Sequence, residues 1–182
     1  MTENITCTCA HWQTHRMALA ELLSEAPFPY CPWCGQQLAA ESQRDESLLA
    51  KYRQRIVEMF FTTDTWGMPD LPNMLLAARP VADYRQLTGD ALGTLDLMLT
   101  FVETGTRFTT QYGDIDEPFY EGLELMLDDF RDLLLANPHL YEEGDLSLRL
   151  PRLARDAGWM GWGYGDYVTE QVSGIMRHFG DV

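Results

Sequence analysis

Residues 113–137 read GDIDEPFYEGLELMLDDFRDLLLAN, and this stretch decides the fold class. Asp116 or Glu117 is placed to cap a helix, Pro118 sits in its first turn, and Phe119, Leu123, Met126, Leu127, Phe130, Leu133 and Leu134 form one apolar stripe at helical spacing. Opposite the stripe run Glu121, Glu124, Asp128 and Asp132, offset by 3, 4 and 4 residues, as a single acidic ridge. Like charges at those spacings each cost roughly a few tenths of a kcal/mol, so something else must offset them. The ridge is either a solvated face partly met by Arg131 or a docking surface for a basic partner protein. A calcium loop starting at Asp114 is excluded, because it would need Gly and Glu where the chain has Phe119 and Leu125.

The same helical period extends on both sides. Leu48, Leu49, Tyr52, Ile56, Met59 and Phe60 predict a helix that ends before Thr62. Asn73 to Ala78 predicts a short helix closed by Pro80, and Val81 to Thr88 a second one closed by Gly89. Asp90 then caps a longer helix containing Leu92, Leu95, Leu99 and Val102, with Gly105 expected to stop it. Tyr167, Val168, Val172, Ile175, Met176 and Phe179 predict the last helix. The expected architecture is mainly α, with a helical domain over residues 41–182 built as an all-helical bundle.

Charge narrows the function classes. The chain of 182 residues has 13 Lys plus Arg against 28 Asp plus Glu, a formal charge of −15. Residues 111–145 hold eleven acids and a single Arg, which is ten of those fifteen units. Such a balance argues against direct binding of nucleic acid through a basic patch. No run of 18 apolar residues and no signal-peptide pattern is present, so no membrane association is expected and the expected compartment is the cytoplasm.

Near the C-terminus, Arg149, Arg152 and Arg155 precede GWMGWGYGDY at 158–167. Arg149, Arg152, Trp159 and Trp162 are candidates for stacking or for holding an anionic ligand. The simpler expectation is a glycine-shaped turn whose tryptophans lock the last helix onto the bundle. No strand precedes the glycines and no Lys follows them, so they are not a phosphate loop. None of the four histidines belongs to a hydrolytic or metalloprotease motif, and a non-catalytic protein is expected.

All four cysteines lie within the first 34 residues, as Cys7-Thr8-Cys9 and Cys31-Pro32-Trp33-Cys34-Gly35. In a reducing compartment such clustering favours zinc over disulfides, and four thiolates close a tetrahedral structural site with no open position. His11 and His15, four residues apart, are a weaker alternative as ligands. Cys7, Cys9 and Trp12, followed by Tyr30 to Gly35 and Leu38, make residues 1–40 resemble short zinc-ribbon proteins of phages and other mobile elements. The resemblance implies that Cys7, Cys9, Cys31 and Cys34 bind Zn2+. The segment between the cysteine pairs departs from it, being rich in Ala, Leu and Glu and reading as a helix instead of a hairpin.

The combined expectation is a zinc-stabilised protein-protein interaction module, an inhibitor or adaptor encoded by a mobile element. Its acidic face, Glu121, Glu124, Asp128 and Asp132, would engage a basic protein that handles nucleic acid. A second reading is an immunity-type or housekeeping module binding through the zinc ribbon and the Trp-rich turn. A third is a small enzyme with an anionic ligand near Arg149 and Trp159.

Overall fold

Helix α1, Glu46–Phe61, starts where Asp45 Oδ1 accepts the backbone N–H of Leu48 at 3.0 Å, capping the first turn. It buries Leu49, Tyr52, Ile56 and Phe60, the stripe expected from their spacing. The computed structural model describes residues 45–61, 71–112, 117–160 and 163–180, all within the unit Asp45–Val182. The four cysteines, His11, His15 and the proposed module over residues 1–40 lie outside the described residues, as does Trp162.

Pro80 does not divide the next segment. Helix α2 runs unbroken over Leu71–Thr88 with Pro80 buried inside it. Met74 and Ala77 before the proline, and Val81 and Tyr84 after it, all lie in the core. Burying that continuous face outweighs the one backbone hydrogen bond that proline forfeits. Gly89, with φ +63°, ends the helix, and Thr88 bridges the corner by donating to the Tyr84 carbonyl at 2.9 Å and accepting from the Asp90 N–H at 3.2 Å.

Helix α3, Ala91–Tyr112, passes through Gly105 instead of stopping there. Gly105 packs under Leu123, where an added Cβ would collide with that side chain, so its role is close helix approach and not termination. Leucines and phenylalanines fill several faces of α3, and Thr94, Thr100, Thr104, Thr106 and Thr109 are buried with them. The helix is central because α1, α2, helix α4, Glu117–Ala136, and a later helix over Leu146–Gly158 all pack on it. Phe119, Leu123, Leu127, Phe130 and Leu134 of α4 are buried as expected.

A short turn of helix, α5, Leu140–Glu143, leads through Asp145, at φ +51°, into α6, Leu146–Gly158. Leu146, Leu150, Leu153 and Ala157 of α6 face the core. Gly163, at φ +59°, opens α7, Tyr164–Phe179, which packs against α6 and α4. Gly165 is required at that contact, since a Cβ there would lie 2.5 Å from the Ala157 carbonyl oxygen. Trp159 does not lock the last helix: it is 77% exposed. The aromatic centre is instead made of phenylalanines, Phe60 meeting Phe101 and Phe119 edge to face at 5.1 and 6.0 Å, while Tyr141 stacks on Phe179 at 4.3 Å. Among the described residues the structure is helical throughout, and no helix is long and apolar enough to cross a membrane.

Candidate functional site

The acidic ridge is split by the packing of α4 on α7. Asp128 Oδ1 accepts from the Tyr167 hydroxyl at 2.9 Å and forms an ion pair with Arg131 Nη1 at 2.9 Å, while Arg131 Nη1 donates to Gln171 Oε1 at 2.7 Å. These bonds tie the two helices together. Glu124 lies in the same seam, where burial, with Asp128 and Glu121 adding repulsion, raises its carboxyl above the usual range. The Tyr167 hydroxyl is pushed up to about 12, by burial first and then by its hydrogen bond to Asp128. Tyr164, fully buried against Thr106 at 3.2 Å, is also raised by burial.

Of the four ridge residues, Asp128 is thus a joint within the fold and Glu124 is half-buried beside it. Glu121 and Asp132 remain exposed, Asp132 with a weak contact to Arg131 at 3.3 Å. Asp129 takes the place of the lost pair. It points to the other flank of α4 and lines a groove of about 480 Å³ between α2, α3 and α4. The apolar lining is Ala78, Val81, Ala82, Met98 and Met126, with Arg85 and Gln86 as further polar groups. Leu125, one turn before Asp129 on the same flank, is 66% exposed. The sequence signal for Asp129 was its position three residues after Met126, which places it over the edge of the stripe instead of opposite it.

On the opposite side of α3 the arginines of α6 meet the carboxylates of the central helix. Arg149 Nε and Nη2 donate to Glu103 at 3.1 and 2.7 Å, and Arg149 Nη1 donates to Asp96 at 2.6 Å. Arg53 of α1 holds the other Asp96 oxygen at 2.6 Å. Burial alone would lower the Arg149 pKa, but the hydrogen bonds and charges of Glu103 and Asp96 outweigh it and the group is raised. Arg149 is therefore committed to structure, not presented to a ligand.

Arg152 differs. It lines a cavity of about 320 Å³ together with Arg107, Thr100, Thr104 and the already paired Glu103. Trp159 is not among the residues lining it. The structure separates the candidates Arg149, Arg152 and Trp159 instead of gathering them. Thr100, Thr104 and Arg107 carry no motif and are brought to Arg152 only by the packing of α6 on α3. Among the described residues no group of three or more His, Cys, Asp or Glu side chains is arranged to hold a metal. No protein-family model, curated protein or solved structure matches the chain.

Proposed function

We propose that this chain is a non-catalytic interaction module whose helical body docks a basic, amphipathic helix of a partner protein. The observation that supports the reading is the groove between α2 and α4, where an apolar lining meets Asp129 on the α4 bank and Arg85 on the α2 bank. Its walls and floor are Ala, Val and Met side chains, and methionine adapts to partner surfaces of varied shape. Its α4 bank continues into Glu121, Asp129 and Asp132 with Leu125 exposed among them. A helix with leucines on one face and lysines or arginines beside them matches that order of surface.

The zinc expected at Cys7, Cys9, Cys31 and Cys34 belongs to the same reading as a structural staple for residues 1–40, carried by the cysteine spacing alone. An inhibitor or adaptor acting on a protein that handles nucleic acid is the biological setting this proposal favours, because such proteins carry the basic surfaces an acidic face would seek.

The test is fluorescence anisotropy of the full-length protein with a labelled amphipathic Leu/Lys helical peptide. A peptide of identical composition, scrambled so that it lacks an apolar face, controls for charge alone. Preference for the amphipathic peptide, weakened by salt and lost in Met126→Asp and in the triple variant Glu121→Gln, Asp129→Asn, Asp132→Asn, is expected. Equal binding of both peptides, or indifference to these substitutions, would overturn the assignment.

A further inference from the structure

The geometry points to a second site: the cavity between α1, α3 and α6 is a receptor for a small phosphate-bearing anion. Thr100, Glu103, Thr104 and Arg107 share one face of α3, and Arg152 and Asp156 face them from α6. Thr100 is 9% exposed and Thr104 is 3% exposed. The other buried threonines, Thr94, Thr106 and Thr109, satisfy their hydroxyls against backbone or side-chain partners. Among the described residues Thr100 and Thr104 make no such bond. No fully enclosed polar side-chain atom among the described residues lacks a partner, so these two hydroxyls open onto the cavity. They are donors held in place with nothing of the protein to donate to.

Charge points the same way. Glu103 has both oxygens taken by Arg149, and Asp156 lies 3.6 Å from Arg155. Among the described residues Arg107 and Arg152 have no carboxylate partner, and Arg107 packs on the ring of Phe61, 5.0 Å from its guanidinium carbon. Counting the connected pairs, Arg53, Arg107, Arg149, Arg152 and Arg155 face Asp96, Glu103 and Asp156. The lining itself holds Arg107 and Arg152 against Glu103 and Asp156, and because both of those acids are already engaged by arginines outside the lining, the two lining arginines are left uncompensated. Two guanidinium groups and two hydroxyl donors lining one cavity offer the donor set that a phosphate ester or diphosphate takes in charge-assisted hydrogen bonds. The volume of about 320 Å³ suits a compact ligand and not a polymer. This site is independent of the docking groove, which uses the other side of α3.

The experiment is calorimetric titration of the full-length protein with inorganic pyrophosphate at constant ionic strength, with thermal unfolding alongside. Saturable binding near one equivalent and a rise in Tm are expected. Arg107→Gln and Arg152→Gln should each weaken binding by about tenfold, as expected for loss of a charged hydrogen-bond donor. Thr100→Val with Thr104→Val keeps the shape of the cavity and should weaken binding too, which decides the matter if an arginine variant fails to fold. Arg177→Gln, elsewhere on the surface, should leave binding unchanged. Absence of saturable binding, equal binding in every variant, or tighter binding of a single-stranded oligonucleotide than of pyrophosphate would each overturn the proposal.

Discussion

Arg149 grips Glu103 with two nitrogens, Nε to Oε1 at 3.1 Å and Nη2 to Oε2 at 2.7 Å, so a guanidinium of α6 is fixed against a carboxylate of α3. Because its third nitrogen reaches Asp96, removal of Arg149 strands Glu103 and leaves Asp96 to Arg53 alone. Arg149→Ala is expected to cost about 3 kcal/mol in urea unfolding. Arg149→Lys should recover little of it, since an ammonium cannot form the fork. A cost below about 0.5 kcal/mol for Arg149→Ala would mean that the network adds nothing to the α3–α6 contact.

Glu124 gives a pH-dependent prediction. Its carboxyl is raised in the folded state, so its contribution to stability is present below the unfolded pKa and is lost as pH rises through the folded one. At neutral pH the ionised group is a small liability. Glu124→Gln should therefore stabilise the protein at pH 7 by roughly a few tenths of a kcal/mol, and the gain should vanish once the pH falls below the ordinary carboxylate range. Paired thermal melts of the two proteins across that range provide the measurement, and a gain that persisted in acid would count against the assignment.

Two glycines of α7 should respond in opposite directions to the same substitution. Gly165→Ala places a methyl group against the Ala157 carbonyl oxygen and Met160 Cβ, neither of which can yield without separating α6 from α7. A loss of about 2 kcal/mol is expected. Gly174 has nothing within 4 Å of the position its Cβ would take, so Gly174→Ala should gain about 0.5 to 1 kcal/mol from helix propensity and a less flexible unfolded chain. Chemical denaturation of both variants tests the pair.

For residues 1–40 the expectation is chemical. Protein purified without chelator should carry about one zinc per chain, and Cys31→Ser with Cys34→Ser should release it. Far-ultraviolet circular dichroism of that variant should retain most of its helical signal, because the helices described above contain no cysteine. Elemental analysis showing no zinc in the native protein would refute the ligand set.

Helices α1, α4 and α7 were legible in the sequence because each has one apolar stripe against a polar face. The misreadings share a physical cause, which is that local rules were applied where burial decides. Pro80 and Gly105 read as stops, yet each lies in a helix whose flanking turns are both in the core. Helix α6 carries its stripe in Leu146, Leu150, Leu153 and Ala157, but Pro151 and the arginines at every third residue interrupt the pattern. The acidic ridge was visible as a row of charges. Which of its members turn inward depends on Tyr167 and Gln171, some forty residues away, and no period along α4 reports that.

The burial of α3 on several faces has a consequence for how the molecule breathes. Its amide hydrogens lie under four other helices, so their exchange with deuterated solvent requires opening of the whole bundle, whereas α5, a single turn, opens locally. Met98 on one flank of α3 and Thr100 and Thr104 on the other are therefore set on the central helix of the described bundle. The groove and the cavity share one stiff spine, and both are shaped before anything arrives to fill them.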